Sequence, residues 1–486
     1  MSILFAVLRA HAQSTYELPS LSVYSLQVAN QTPVATFAMP VSGLQFEPRV
    51  DVQARNFAEA QADVAIRGGI FENTGFKLGA SALFDPQTGH YFAELPVSPA
   101  MLGSPRVLTG IDNAVGGFNA EVGTIAYDWS PVIQRGELSV SAGDYSTNRQ
   151  SFYQGVVLPT TFQGYTIGAD VDLARSESDG SIPFGDHNFK RAAGRVQLRS
   201  ANSQTDLFLG WQEKFFGWPN LYTPFGFNET ENLKTELYAF NHRAWSSPEN
   251  YWQFGAYYRR NYDDYEFNRA VPGASNPFQH TTHVRSIALE GRQGSGSWAV
   301  DYSTQYMSDN LRSTSLTAGR FNSRDYFKFS AVPQYTTETP AGQVTLRAGA
   351  TYDDTNRDAA ALSPLLEVAV KKSATTRLYA QYAETTQVAT YTALNSSATS
   401  GLFRGNPDLK REASRNLELG AACQAGIWSV EAAAFYRWDD NLVDWTYKQG
   451  VTARTANPVD TGTGGIEIVA VTRTPRYSLV LGYTYL

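Results

Sequence analysis

The chain has 486 residues, one cysteine, 13% aromatics and a mean hydropathy of −0.31, which is long for one ordinary soluble domain and too poor in cysteine for a disulfide framework or a multi-cysteine metal site. It holds no apolar run of about 18 residues, which excludes a helical membrane protein but not a β-barrel, whose strands show lipid only alternate side chains. A net charge of −7 argues against a nucleic-acid partner, which would need a basic face.

Residues 3–8 form a short apolar run, and Ala10, His11 and Ala12 give a small-x-small site ahead of a cut near Gln13. Residues 1–13 therefore read as the back end of a secretory signal whose start lies upstream. Residues 14–31 are polar with scattered aliphatics and carry one β-prone stretch: Leu21, Ser22, Val23, Tyr24, Ser25 and Leu26. From 32 to 130 the texture is strand and turn, with apolar runs at 64–66, 76–78, 106–108 and 124–127 between Gly-, Asn- and Pro-rich breaks. Residues 71–75, 86–92 and 111–118 are the expected apical turns of this unit.

After Pro131 long alternating strands take over. Trp298, Val300, Tyr302 and Thr304 alternate with Ala299, Asp301, Ser303 and Gln305, and similar patterns fill 343–352 and 428–438. The apolar set often begins or ends in an aromatic, as a lipid-facing strand with two interfacial girdles does. About 17 strand candidates follow Gly136, and their connections alternate short and long, the pattern of short periplasmic turns and long external loops. The long ones are expected near 175–188, 215–229, 264–280, 310–322, 386–411 and 439–464. A soluble sandwich gives the same period without that alternation.

Several pieces together carry a family resemblance. The first set is Arg67, Gly68 and Gly69 after Ile66, then Asp85 through Gly89 to Pro96, then Arg106 to Gly110, and last Gly116, Gly117 and the run to Gly123. This order resembles the plug domain of TonB-dependent outer-membrane receptors. Leu78, Gly79 and Ala80 stand where an Asp-Gly turn is usual, and residues 51–57 replace the family's helical Leu-x-x-x-Pro-Gly-Val stretch. The second set, Asn406, Pro407, Leu409, Glu412, Ser414 and Glu418, resembles the barrel signature of the same receptors, with Arg411 at a usual proline.

The resemblance implies an all-β antiparallel membrane barrel with an N-terminal mixed α+β plug in its lumen. Residues 1–13 would be partial signal, 14–31 a linker with the TonB box at 21–26, 32–130 the plug and 131–486 the barrel. Such receptors have about 22 strands, so some five are expected to be missing at the C-terminus. The implied function is binding of a scarce solute, a ferric siderophore or cobalamin-like molecule, at external loops and plug apices, and its import to the periplasm. The implied partners are TonB with its inner-membrane energising complex and outer-membrane lipid, and a monomer is expected. A passive porin-like channel and a TonB-dependent carbohydrate importer are the alternatives.

No enzyme constellation is present: Gly-x-Ser-x-Gly, His-Glu-x-x-His and Gly-Lys-Ser/Thr are all absent. The glycine-rich 460–465 reads as a flexible loop, and His280 and His283 as polar residues on the surface at a loop edge. No resident cofactor is expected, although Glu177 with Asp179, Asp263 with Asp264 and Glu266, and Asp353 with Asp354 and Asp358 could hold loop Ca²⁺. The candidate substrate contacts are Phe71, Asn73, His90 and Tyr91 at the apices and Phe215, Trp218, Tyr222 and Phe225 in an aromatic external loop. Arg67 and Arg106 are expected to tie the plug to acidic groups of the wall.

Overall fold

The computed structural model describes residues 39–44, 47–54, 61–274 and 278–486. The signal segment and the stretch at 21–26 lie outside the described residues.

The N-terminal unit holds two small sheets. β1 (Val50–Ala54) runs antiparallel to β2 (Ala62–Ile66), so a strand occupies the place where the family has its helical stretch. The second sheet has the order β4-β3-β6-β5, from β3 (Thr74–Leu78), β4 (Ser81–Leu83), β5 (Arg106–Leu108) and β6 (Gly123–Tyr127), with β3 and β6 parallel. Gly79 and Ala80 make the tight turn between β3 and β4. Gly79 has φ +59°, and a Cβ there would lie 2.2 Å from Asn241 Oδ1, so glycine meets both the turn and the close approach to the wall. Residues 110–116 form helix α1 (Gly110–Gly116) and not an apical turn. Its Ile111 and Ala114, three apart and so on one face, are buried against Val332, Leu365 and Ala383 of the wall.

The wall begins with β7 (Arg135–Ala142), β8 (Asn148–Val157), β9 (Thr166–Ser178), β10 (His187–Arg199), β11 (Ser203–Pro219) and β12 (Asn228–Ser247). It continues through β13 (Asn250–Glu266), β14 (Phe278–Ser295), β15 (Trp298–Ser313), β16 (Ser323–Thr339), β17 (Gly342–Thr355), β18 (Asp358–Ser373) and β19 (Thr376–Gln387). After helix α2 (Tyr391–Asn395) and the two-residue β20 (Phe403–Arg404) come β21 (Glu412–Ala425), β22 (Trp428–Thr446), β23 (Arg454–Arg473) and β24 (Ser478–Tyr485). Consecutive wall strands pair antiparallel, with β19 pairing directly to β21 and β20 lying parallel against β23. The ladder is registered from β7 through β24, and among the described residues no register joins β24 to β7. Leu138 and Val140 of β7 and Tyr483 and Tyr485 of β24 stand exposed there.

Period-two alternation decides what each face meets. Leu362, Leu366 and Val368 of β18 point outward and are exposed, while Ser363, Leu365 and Glu367 point inward and are buried. On β16, Phe327 and Phe329 near one end and Tyr335 near the other are exposed, and Tyr335 meets Trp298 at 4.8 Å. The inward face is polar and meets the N-terminal unit.

Two loop expectations give way to strand. Residues 439–464 are mostly β22 and β23, with only 447–453 between them. The glycine-rich 460–465 lies inside β23, where a Cβ at Gly462 would meet Tyr436 Oη at 2.6 Å and one at Gly465 would meet Phe435 Cζ at 2.5 Å. Those glycines make room for rings of the neighbouring strand. Likewise Asp263 and Asp353 sit on strands and not in loops.

Candidate functional site

The longer connections gather at one end of the wall, and there the N-terminal unit meets the hairpin of β11 and β12. Residues 71–73 and 89–91 form short 3-10 turns stacked on each other. A Cβ at Gly89 would lie 2.5 Å from Glu72 Cγ, so only glycine allows this apposition. It brings the Phe71 ring onto His90, with centroids 4.1 Å apart. A row of rings continues outward: His90 to Tyr222 at 5.8 Å, Tyr222 to Tyr265 at 5.4 Å and Tyr265 to Phe278 at 5.5 Å. Tyr91 packs with Phe216, Leu221 and Leu233, with Trp218 and Tyr222 at the margin of that cluster.

Carboxylates back this row. Glu231 accepts from the hydroxyls of Tyr91 at 3.0 Å and Tyr222 at 2.5 Å, and Tyr222 Oη also lies 2.7 Å from Gln61 Oε1. Glu229 accepts from Tyr222 N, Thr223 N, Thr223 Oγ1 and Tyr265 Oη, which fixes the turn at 220–227. Gln87 donates to Asp263, and Asp63 lies 2.7 Å from His90 Nδ1. Burial first, then Asp263 and Glu231, push the Tyr91 hydroxyl well above its ordinary range and keep it a donor.

The structure thus brings together Phe71, His90, Tyr91, Trp218 and Tyr222. Asn73 is buried beneath them, its Oδ1 taking Ile70 N at 3.4 Å and its Nδ2 reaching Glu121, so it braces the turn. Phe215 faces Arg269, and Phe225 pairs edge-on with Phe267, both apart from the row. Tyr265, Glu229 and Glu231 were not among the expected contacts; the i, i+2 spacing of the two acids, which puts both on the lumen face, was their one sequence signal.

The glycine and arginine motifs seat the unit. Arg67 has φ +50° and forks between Glu418, at 2.6 Å, and Glu467, over the Phe435 ring at 4.5 Å. The expected tie of this arginine to the wall is present. Arg106 instead pairs with Asp128 at 2.8 Å, in the segment leading into β7, while facing the wall across a small cavity also lined by Tyr251 and Glu290. Asp85 takes Gln87 N at 2.9 Å and Thr282 Oγ1 at 3.1 Å, with Arg259 at 3.4 Å. At Gly110, φ +54°, a Cβ would press on the Gln381 amide; at Gly117 it would crowd Asn113 and Thr124, and at Gly123 Ile66. Gly68 and Gly69 are similarly crowded by Leu486 and Val122.

In the second motif, Asn406 Oδ1 takes Asp408 N at 3.0 Å, turning the chain through Pro407, and Leu409 packs on the Ala389 cluster. Glu412 accepts Val443 N at 2.9 Å, Ser414 donates to Asp439 at 2.7 Å, and Glu418 holds Arg67. His280 is buried while His283 lies beside Tyr258, on opposite faces of β14. Among the described residues no group of three His, Cys, Asp or Glu side chains is placed to hold a metal ion.

Residues 111–486 match the family described as TonB dependent receptor-like, beta-barrel. No curated protein matches the chain. Solved structures with the same fold include the siderophore receptor PirA from Pseudomonas aeruginosa, at 17% identity and TM-score 0.65, covering 94% of this chain and 86% of that one. The FrpB iron transporter from Neisseria meningitidis aligns at 12% identity and TM-score 0.71, covering 95% and 78%. The Serratia marcescens hemophore receptor HasR, solved with its hemophore HasA and heme, aligns at 15% and 0.65, covering 90% and 81%.

Proposed function

The chain belongs to the TonB-dependent receptors of the outer membrane, and on that premise we propose that it binds a scarce metal-chelate-sized solute at the aromatic row and admits it to the periplasm. The family implies TonB as the partner that supplies the work, since the outer membrane holds no energy source of its own. The observation that carries the reading is the row Phe71–His90–Tyr222–Tyr265, built half from the plug and half from the wall. A ligand seated there touches both parts at once, so occupancy is felt by the element that must move.

The ligand class follows from charge. Glu229, Glu231 and Asp263 meet phenols, a hydroxyl, amides, a neighbouring carboxyl and the His280 imidazole; among the described residues no lysine or arginine pairs with them. Rings with the Glu229 and Glu231 carboxylates behind them present a negative surface, which favours a neutral or cationic ligand over a trianionic one. A ferric hydroxamate siderophore or a cobalamin-like corrinoid fits better than a ferric tris-catecholate. A passive channel would leave the buried arginine fork between plug and wall without a role.

Tryptophan fluorescence of the refolded chain, titrated with ferric hydroxamates, ferric catecholates, cobalamin, haem and oligosaccharides, tests this. Binding weakened about ten-fold or more by Tyr222→Ala and by Phe71→Ala, with Phe225→Ala silent, is expected. Tight binding of a catecholate alone overturns the charge argument, and a hit indifferent to Tyr222 and Phe71 overturns the site.

A further inference from the structure

The end of β19, from Thr385, and the connection that follows it to β21 lie across the outer side of the plug. Thr385 Oγ1 donates to Glu121 O at 2.8 Å, and Gln387 Nε2 to Glu72 O at 3.3 Å. Val388 N donates to Asn119 Oδ1 at 2.7 Å, and Asn119 Nδ2 returns a bond to Val388 O at 3.2 Å. Tyr391 N reaches Pro86 O at 2.8 Å, and Thr392 N and Oγ1 both reach Gln87 O, at 2.9 and 2.8 Å. Residues 385–392 therefore bond to three separate plug segments, around 72, 86–87 and 119–121.

The same segment is pinned to the wall from behind. Tyr391 Oη donates to Asp309 at 2.7 Å, the Arg324 guanidinium lies 4.4 Å from the Tyr391 ring, and Arg324 donates to Ala389 O at 2.7 Å. Asn395 Nδ2 donates to Phe321 O at 2.9 Å, and Asn395 O takes Ala318 N. Asn406 of the barrel signature closes the far side through its N–H on Ala393 O, at 2.7 Å.

We propose that residues 385–395 are a strap that holds the plug from outside, anchored in the β19–β21 ladder at Thr385 and Gln387 and lifting over 388–395, with Gln387, Val388 and Thr392 as its positioning residues, so that the plug is released only when the strap lifts. One continuous segment bonded to three plug segments couples their opening, since none can move far without breaking bonds that the strap shares with the others. The proposal rests on the receptor fold and not on the ligand, so its failure leaves the binding site as argued.

Two variants test it by hydrogen exchange of the full chain in detergent micelles, each first checked for heat-modifiable migration. Asn395→Ala touches no plug residue but removes the side-chain bond to Phe321 O and so loosens the strap from the wall. It is expected to speed exchange about five-fold or more in all three plug segments together. In a Cys423→Ser background, which removes the single native thiol, Gln87→Cys with Thr392→Cys allows the strap to be locked. Oxidation is expected to slow exchange in all three segments and to raise the urea concentration at which planar bilayers show plug-release conductance, with reductant reversing both. Slowing confined to residues 85–92, or conductance indifferent to the cross-link, overturns the strap, as does unchanged exchange in a folded Asn395→Ala chain. Should Asn395→Ala not fold, the cross-link alone decides.

Discussion

Arg67 and Glu72 sit five residues apart in the plug and respond oppositely to burial. Arg67 spends its fork on Glu418 and Glu467, all three side chains nearly sealed from solvent. Arg67→Ala would leave two carboxylates buried without their cation, at a cost of about 3–5 kcal/mol. We expect the urea midpoint of plug release to fall steeply in that variant, and Arg67→Lys to recover only part, because an ammonium cannot reproduce the fork. An unchanged midpoint would remove the arginine from the plug's anchorage. Burial first, then Glu412, Asp63 and Asp444, raise the Glu72 carboxyl to about 8. The folded plug keeps this proton while the unfolded chain releases it near the usual carboxylate range. Raising the pH from there to about 8 therefore withdraws stability, by at most about 1.4 kcal/mol per pH unit. Plug melting should fall between pH 5 and 8, and Glu72→Gln should flatten that fall; an identical slope in the variant would place the titration elsewhere.

Elements show why some of this was legible in the sequence and some was not. The strand from 298 was readable because one of its faces meets lipid and the other a polar lumen, so the period of two is written in side-chain type. β12 and β23 each run 20 residues, while about 9–11 cross a bilayer. The excess projects into water, where neither face need be apolar. That is why the Asp, Thr and Gly of 460–465 looked like a loop. Helix α1 was misread as a turn because seven residues give a single helical face, and its packing partners Val332, Leu365 and Ala383 are over 200 residues away in sequence. Arg67 and Glu418 were each visible as motif residues, and the family resemblance placed them in plug and wall. The row at the outer mouth was half visible: its aromatics stood out, but Glu229 and Glu231 acquire meaning only through the phenols they receive. The stacked turns yield a prediction at this scale. Gly89→Ala must push Glu72 away, since its Cβ would also lie 2.8 Å from the Glu72 Cα. A cost of about 1–3 kcal/mol in plug stability is expected, with the Phe71–His90 stack opened and ligand binding weakened, while heat-modifiable migration of the barrel stays intact. Full binding in that variant would show that the stack is not part of the site.

At the scale of the whole molecule, the distribution of apolar surface makes sense only in a bilayer. Leu207, Leu209, Ile287, Leu346, Leu362, Leu366, Ile466 and Ile468 are all exposed and all lie on the outer face of the wall, whereas the buried charges Asp170, Arg195, Asp206 and Glu367 lie on the inner face. A water-soluble protein would have those sides reversed. The inversion makes the cost of a charge depend on depth and face. Leu366, near the middle of β18, faces lipid far from either rim, and Leu366→Arg should cost about 2–4 kcal/mol in vesicle-embedded protein. Leu362 is closer to the outer end of the same face, so Leu362→Arg should cost only about 0–1 kcal/mol, its guanidinium reaching the headgroups. Denaturant titration of both variants in lipid vesicles compares the two directly. Equal costs would mean that β18 does not cross the bilayer at the depth its aromatic neighbours indicate. A larger cost at Leu362 would shift the membrane-spanning belt outward and carry the aromatic row at the plug's apex down toward the headgroups. The site would then meet its ligand at the lipid surface and not in open water.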